Sequence, residues 1–98
     1  MALKDLHGGT VILIDAEFTC WQDSLATGWS DPARAAEMLE VAMISYDAVN
    51  QKELASFSSL VKPRLNPILS AYCLNILPIH QIEIDDAPEF EQVMAEIT

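Results

Sequence analysis

The chain has 98 residues, 51% of them hydrophobic, which suits one small folded domain rather than a disordered segment. Its formal net charge of −10, from 15 acidic and 5 basic residues, argues against a basic face for nucleic acid, and its two cysteines are too few for a disulfide framework. No apolar run approaches the ~20 residues of a membrane span and no signal-peptide core is visible, so we expect a cytoplasmic protein without a membrane partner.

Three strands are predicted after a loose lead-in at residues 1–9. Residues 10–16, TVILIDA, form a β-branched apolar run that is too short for a helix, and its continuous apolarity predicts a central strand buried on both faces. Residues 38–48 and 53–63 are the second and third predicted strands. A polar turn at 49–51 joins these two, which predicts an antiparallel pair.

A long loop and short helices are predicted between and after the strands. The loop at 22–36 contains one short helical turn after Pro32. Ser70 can cap a helix over 71–77 that the following proline stops, and a further turn is predicted at 79–82.

The last predicted element is an amphipathic helix. Asp86 is its predicted N-cap, and Glu89 would complete a capping box. One apolar face follows with i, i+3, i+4, i+7 spacing, at Phe90, Val93, Met94 and Ile97. No C-cap glycine follows this helix within the chain, so we expect residues 1–98 to be the N-terminal part of a single domain.

Two carboxylates close the first predicted strand. Asp15 and Glu17 stand two residues apart, so they should share one face at the strand's C-terminal end, where the ligand sites of α/β sheets tend to lie. Paired oxygen donors favour Mg²⁺ or Mn²⁺ over softer metals, and they repel each other unless a cation lies between them. An acidic chain also produces such pairs by chance; Glu83 and Asp85, at the same spacing, are predicted to be solvated.

Other chemistry-bearing side chains favour packing over catalysis. No histidine is placed to activate Cys20, so a cysteine-based hydrolase has little support. His80 lies between short apolar turns and is predicted to be a surface or half-buried residue. Trp29 in the long loop could stack on a base, although a loop tryptophan more often anchors its own loop.

Four segments carry a resemblance to a known family. They stand in the order IDAEFTCW (14–21), EMLEVA (37–42), FSSLVKP (57–63) and YCLNILPIHQIEIDDAPEF (72–90). Together they resemble the DEDD superfamily of 3'-5' exonucleases, in the DEDDh branch of ERI-type enzymes near RNase T, over residues 11 to about 97. One departure is Leu77-Pro78, where the family has Thr-Gly beside the terminal nucleotide.

The resemblance implies an α/β, ribonuclease H-like fold whose first part is a three-stranded antiparallel sheet followed by helices. It also implies Mg²⁺ or Mn²⁺ in a two-metal site that cleaves nucleotides from the 3' ends of single-stranded DNA or RNA. By the same resemblance, Asp15 and Glu17 are metal ligands and catalytic residues. The implied contacts to the terminal nucleotide are Ala16, Phe18, Thr19 and Ile79.

The family pattern also includes a third aspartate and a His-x-x-x-x-Asp motif, which residues 1–98 do not contain. We therefore expect the 98-residue chain to be inactive alone and marginally stable, with a possible homodimer formed through exposed apolar surface. An alternative remains open: a catalytically incomplete, exonuclease-like module that acts by binding or association. The sequence does not distinguish a DNA substrate from an RNA substrate.

Overall fold

A computed structural model describes residues 8–97. In this range the chain forms three strands and then three helices: β1 (Thr10–Phe18), β2 (Met38–Asp47), β3 (Lys52–Leu60), α1 (Ala71–Ile76), α2 (Gln81–Asp85) and α3 (Phe90–Ile97). The predicted α/β order is confirmed, with a 3-10 turn at Pro32–Arg34 inside the long loop. Residues 1–7 of the predicted lead-in lie outside the described residues. No helix within 8–97 is long and apolar enough to cross a membrane.

The strands form one antiparallel sheet in the order β1-β2-β3, so β2 is the central strand. The prediction of a central first strand buried on both faces is therefore wrong for the described residues. One edge of β1 pairs with β2, and no strand within 8–97 pairs with the other edge. Val11, Leu13 and Ile14 are 44%, 55% and 63% exposed. An apolar run predicts that a strand can be buried, but it does not say which neighbours the strand has.

The turn between β2 and β3 is held by the carboxylate of Asp47. It accepts the backbone N–H groups of Val49 and Asn50 at 2.9 and 3.0 Å, and the Asn50 side-chain amide at 2.7 Å. These bonds, the Asn50 side chain first, hold the pKa of Asp47 below its ordinary value. The predicted turn and antiparallel pair are confirmed, although β3 ends at Leu60, three residues before the predicted end.

Local capping signals position α1 close to its predicted bounds. The Ser70 hydroxyl accepts the N–H of Cys73 at 3.0 Å, which confirms the predicted N-cap. The helix ends at Ile76, one residue early, because Leu77 precedes a proline and takes an extended conformation with φ −107° and ψ 142°.

The helices after α1 differ from the prediction in their boundaries. The predicted turn at 79–82 is the start of α2, and the predicted cap Asp86 instead ends that helix. At the start of α3 the N–H of Glu89, three residues after the predicted cap, donates to the Gln92 side chain at 2.9 Å, which is one of the two bonds of a capping box. Asp86 lies directly after the last residue of α2, so it closes that helix, and α3 begins only at Phe90.

The core lies on one face of the sheet. Every buried residue of β2 falls on alternate positions of that face, here called the covered face. It packs in two clusters: Leu39 with Leu69, Cys73, Ile79 and Ile84, and Val41 with Met43, Val61, Val93 and Ile97. The alternate positions form the open face, which contains no buried residue; they are Val11, Leu13, Asp15 and Glu17 of β1 and Glu40, Ala42, Ile44 and Tyr46 of β2.

Candidate metal and nucleic-acid site

Asp15 and Glu17 lie together near the C-terminal end of β1, on the open face. The strand register is regular across both positions, with Asp15 opposite Ala42 and Glu17 opposite Glu40. Because side chains alternate along a strand, both carboxylates project to the same side of the sheet. Asp15 is exposed and Glu17 is half-buried. The structure therefore brings the two predicted ligands together, and their role at a metal stays a prediction.

The register adds a third carboxylate that sequence reasoning did not assign to the site. Glu40 lies directly across from Glu17 on the same face. Directly opposed side chains have Cβ atoms about 4.5–5.5 Å apart, and like charges at that distance destabilise a sheet. Only the pairing register reveals this neighbour, and a shift of one residue would have moved Glu40 to the other face.

The donor chemistry at this end of the sheet fits a hard divalent cation in part. The salt bridges within 8–97 involve Arg34 and Arg64, so no described basic side chain neutralises Asp15 or Glu17. No group of three or more His, Cys, Asp or Glu side chains in this range is arranged to hold a metal. Mg²⁺ is usually bound by one or two carboxylates, with water and substrate phosphate completing its shell, and this pair matches that requirement.

The chain directly after Glu17 is fixed by the buried Thr19. Its N–H donates to the Glu37 carbonyl at 2.8 Å, and its hydroxyl accepts the Glu37 N–H at 2.9 Å and donates to the Ala35 carbonyl at 3.4 Å. Thr19 is only 2% exposed. Its hydroxyl therefore forms hydrogen bonds within the protein that position the end of β1. The predicted contact of Thr19 with the terminal nucleotide stays a prediction.

Glu37 extends this anchor to the segment that follows β3. Its carboxylate accepts the backbone N–H groups of Arg64, Leu65 and Asn66 at 2.7, 2.9 and 3.2 Å. Charge-assisted bonds of this kind are about twice as strong as neutral ones. Sequence reasoning missed this residue because its partners lie 27 to 29 positions away, where no local pattern connects them.

The remaining predicted nucleotide contacts have different surroundings. Ala16 and Phe18 flank Glu17, and Phe18 is 44% exposed at an irregularity in the β1–β2 register. Ile79 is 5% exposed and packs in the cluster around Leu39, so it is a core residue in this structure. The Phe18 side chain is exposed enough to contact a ligand, whereas the Ile79 side chain is almost completely buried. Both contacts stay predictions.

A cavity of about 490 Å³ opens near the end of β1, away from the two carboxylates. Its apolar wall includes Phe18, Met38, Val61 and Phe90, and Arg64 lies at its margin. It lies beside the covered face, whereas Asp15 and Glu17 project from the open face. The cavity and the candidate metal site are therefore distinct features.

Arg34 links parts of the long loop at 22–36, in addition to backbone hydrogen bonds within the loop. Arg34 forms a salt bridge with Asp23 at 3.1 Å, and its guanidinium lies 5.5 Å from the centre of the Trp21 ring. Trp29 is 40% exposed and has a φ of 60°, a left-handed backbone that bulky residues rarely adopt. The stacking of Trp29 on a base stays a prediction.

The chain is similar in sequence to known exonucleases. The profile of the RNase T exonuclease family matches residues 12–98. The 3'-5' exonuclease eri1 of Schizosaccharomyces pombe is 31% identical over 87 residues, which cover 89% of this chain and 27% of that protein.

Solved structures of exonucleases have a similar fold. A 3'-exonuclease described for 3'-end-specific recognition of the histone mRNA stem-loop aligns with a TM-score of 0.76 and 25% identity, covering 94% of this chain and 38% of its own. The nuclease domain of 3'hExo, a DEDDh family member bound to rAMP, aligns with a TM-score of 0.73 and 25% identity, covering 90% and 41%. The ribonuclease H-like fold class is thereby confirmed, and the chain spans less than half of each of these relatives.

Proposed function

The chain belongs to the RNase T exonuclease family, in its DEDDh, ERI-type branch, and from that premise we propose that residues 1–98 are the N-terminal part of a single 3'-5' exonuclease domain. The proposed substrate is the 3' end of single-stranded DNA or RNA, and the proposed reaction is two-metal-ion phosphodiester hydrolysis. The observation that carries the proposal is the Asp15–Glu17 pair on one face at the end of β1, inside the family match.

Each site residue has a task that follows from its place. Asp15 and Glu17 would hold Mg²⁺ or Mn²⁺, which when bound stabilises negative charge on the phosphoryl oxygens. The backbone of Ala16 and the exposed ring of Phe18 would lie along the terminal nucleotide. Thr19 fixes the strand end on which these groups stand, through its bonds to Glu37.

The 98-residue chain alone is expected to release no 3'-terminal nucleotide. Its two family carboxylates are half of the acidic set that the family pattern requires, and no group of three or more His, Cys, Asp or Glu side chains within 8–97 is arranged to hold a metal. A 5'-labelled single-stranded RNA or DNA, incubated with the purified chain and Mn²⁺, should remain full length. Metal-dependent shortening that disappears in Asp15→Ala would contradict this expectation.

A chimera tests whether the segment carries catalytic residues. Residues 12–97 would replace the matching segment of the S. pombe relative, and the folded chimera should trim 3' ends. Asp15→Ala in that chimera should abolish trimming. Asp85→Ala is the matched control, because Glu83 and Asp85 have the same spacing and should leave activity unchanged. An active Asp15→Ala chimera would contradict the proposal.

A second candidate is a binding module without catalysis, favoured by the absence of a three-ligand metal cluster within 8–97. In that case Asp15→Asn and Glu17→Gln would leave binding to a single-stranded 3' end unchanged or strengthen it by reducing negative charge. The exonuclease proposal predicts that metal-dependent binding is lost in both variants. Fluorescence anisotropy with and without Mn²⁺ distinguishes the two.

The free edge of β1 supports the proposed homodimer. This edge carries unpaired backbone groups and the exposed side chains of Val11, Leu13 and Ile14. β1 also contains no lysine or proline, residues that discourage the pairing of one strand edge with another. Sedimentation of the purified chain should then give twice the monomer mass. Leu13→Lys should restore the monomer, and a wild type that sediments as a monomer at all concentrations would exclude the dimer.

A further inference from the structure

The two cysteines of the sequence, Cys20 and Cys73, are 53 positions apart in the chain and pack in the same apolar cluster of the folded protein. Cys73 is 1% exposed in the first core cluster, and the half-buried Cys20 packs against that cluster. Cys20 directly follows the anchored end of β1, and Cys73 lies in α1. Their contact therefore joins the strand that bears Asp15 and Glu17 to the first helix.

One hydroxyl holds both cysteine backbones in place. The Ser70 Oγ donates to the carbonyl of Cys20 at 2.6 Å and accepts the N–H of Cys73 at 3.0 Å. Because Ser70 is also the N-cap of α1, the position of the helix start and the position of Cys20 depend on each other. This arrangement keeps the two cysteine residues close together without a covalent link.

The pKa of Cys20 reflects its buried surroundings and the nearby Cys73. Burial raises the pKa of Cys20 to about 11, and a hydrogen bond with the Cys73 thiol and the charge of Glu17 act in the same direction. The Cys20 side chain is therefore a protonated thiol near neutral pH. No third metal-ligating side chain joins the two cysteines within 8–97, which argues against a metal site at this pair.

We propose that Cys20 and Cys73 form an intramolecular disulfide when the folded protein meets a disulfide oxidant such as oxidised glutathione. The half-buried Cys20 attacks first and forms a mixed disulfide, releasing one glutathione thiolate. Cys73 then attacks the sulfur of Cys20 and releases the second. The protein thiols lose two protons and two electrons, and one oxidised glutathione becomes two glutathione thiols.

The product would fasten the end of β1 to α1. A disulfide that closes a loop of this length removes a large part of the freedom of the unfolded chain, so the oxidised protein should unfold at a higher temperature. It would also fix the segment three residues after Glu17, and thereby the approach to the candidate metal site. This modification is independent of whether the domain degrades nucleic acid.

Intact-mass spectrometry on the native chain tests the proposal. After incubation with oxidised glutathione at about pH 9, where thiolate is more abundant, the protein should lose the mass of two hydrogen atoms. Peptide mapping without reductant should link residues 20 and 73. The Tm should rise by roughly 10 °C and return to its original value after reduction.

Controls separate this outcome from its competitors. The chain unfolded in urea shows that both thiols react when accessible, and Cys73→Ala should stop at a mixed disulfide on Cys20. A wild-type protein that keeps a bound glutathione, forms disulfide-linked dimers, or stays reduced while the unfolded chain oxidises would overturn the proposal. A Tm that falls on oxidation would overturn it as well, since the native spacing would then not accommodate the bond.

Discussion

The covered face and the open face of the sheet use the same strands for different purposes. On the covered face, β2 buries alternate apolar residues such as Val41, at 2% exposure, against α3. On the open face, β1 presents Leu13 at 55% exposure beside Asp15 and Glu17. Stability therefore resides on one face and the candidate chemistry on the other. Substitutions on the two faces should consequently have different effects.

The largest expected effect is the loss of a core leucine. Leu39→Ala removes a side chain that is 0% exposed and leaves a cavity, so the free energy of unfolding should fall by about 3 kcal/mol. Leu13→Ala, the matched change on the open face, should cost less than about 1 kcal/mol. Urea denaturation measures both. Equal losses would contradict the distinction between the faces.

The next effect concerns the Glu37 anchor. Glu37→Gln removes the charge and one of the two oxygens that accept three backbone N–H groups, so the free energy of unfolding should fall by about 2 kcal/mol. Glu53→Gln, on the exposed start of β3, is the control and should change stability by less than about 0.5 kcal/mol. If Glu37→Gln and Glu53→Gln changed the free energy of unfolding equally, water would be satisfying the backbone N–H groups of residues 64–66 as well as Glu37 does.

Glu40 should show a gain rather than a loss. Glu40→Gln removes the like-charge contact with Glu17, so the chain should become more stable by about 0.5 kcal/mol at low salt. The gain should shrink when salt or Mg²⁺ screens the carboxylates. Thermal melts of the variant at low and high salt, with Glu53→Gln as the control again, check this. A destabilised variant would indicate that Glu40 has a partner of its own.

The smallest effect is the pH dependence at the β2–β3 turn. Because the folded-state pKa of Asp47 is depressed from 3.8, its charged form contributes stability above that pH, and the contribution is lost as the pH falls through the folded value. Asp47→Asn should therefore have a lower Tm than the wild type at about pH 6, and the difference should shrink toward about pH 3. A constant difference would show that the charge is not responsible.

Local chemistry made much of this fold predictable. Ser70 and the proline at 78 bound α1 within one residue, because a cap and a helix breaker act on adjacent backbone. Asp15 and Glu17 share a face because alternation along a strand is local. The resemblance to the exonuclease family likewise rests on short segments of sequence, which include these residues or lie next to them.

Long-range pairing could not be predicted in the same way. The apolar run of β1 does not reveal whether a second strand lies beside it. The contact of Glu40 with Glu17 depends on register, and the bonds of Glu37 depend on a loop from another part of the chain. The sequence therefore predicted the two candidate metal ligands. The neighbouring residues Glu37 and Glu40 could be identified only from the folded structure.

A titration of ¹⁵N-labelled protein with Mn²⁺ tests the central claim, that Asp15 and Glu17 form a divalent-metal site. Paramagnetic broadening should appear first at the amides of residues 15–17 and of Ala42 opposite them, and it should disappear in the Asp15→Asn, Glu17→Gln double variant. Glu83 and Asp85 serve as the internal control for general attraction to an acidic protein. Broadening that is equal at both pairs, or that survives in the double variant, would contradict the account.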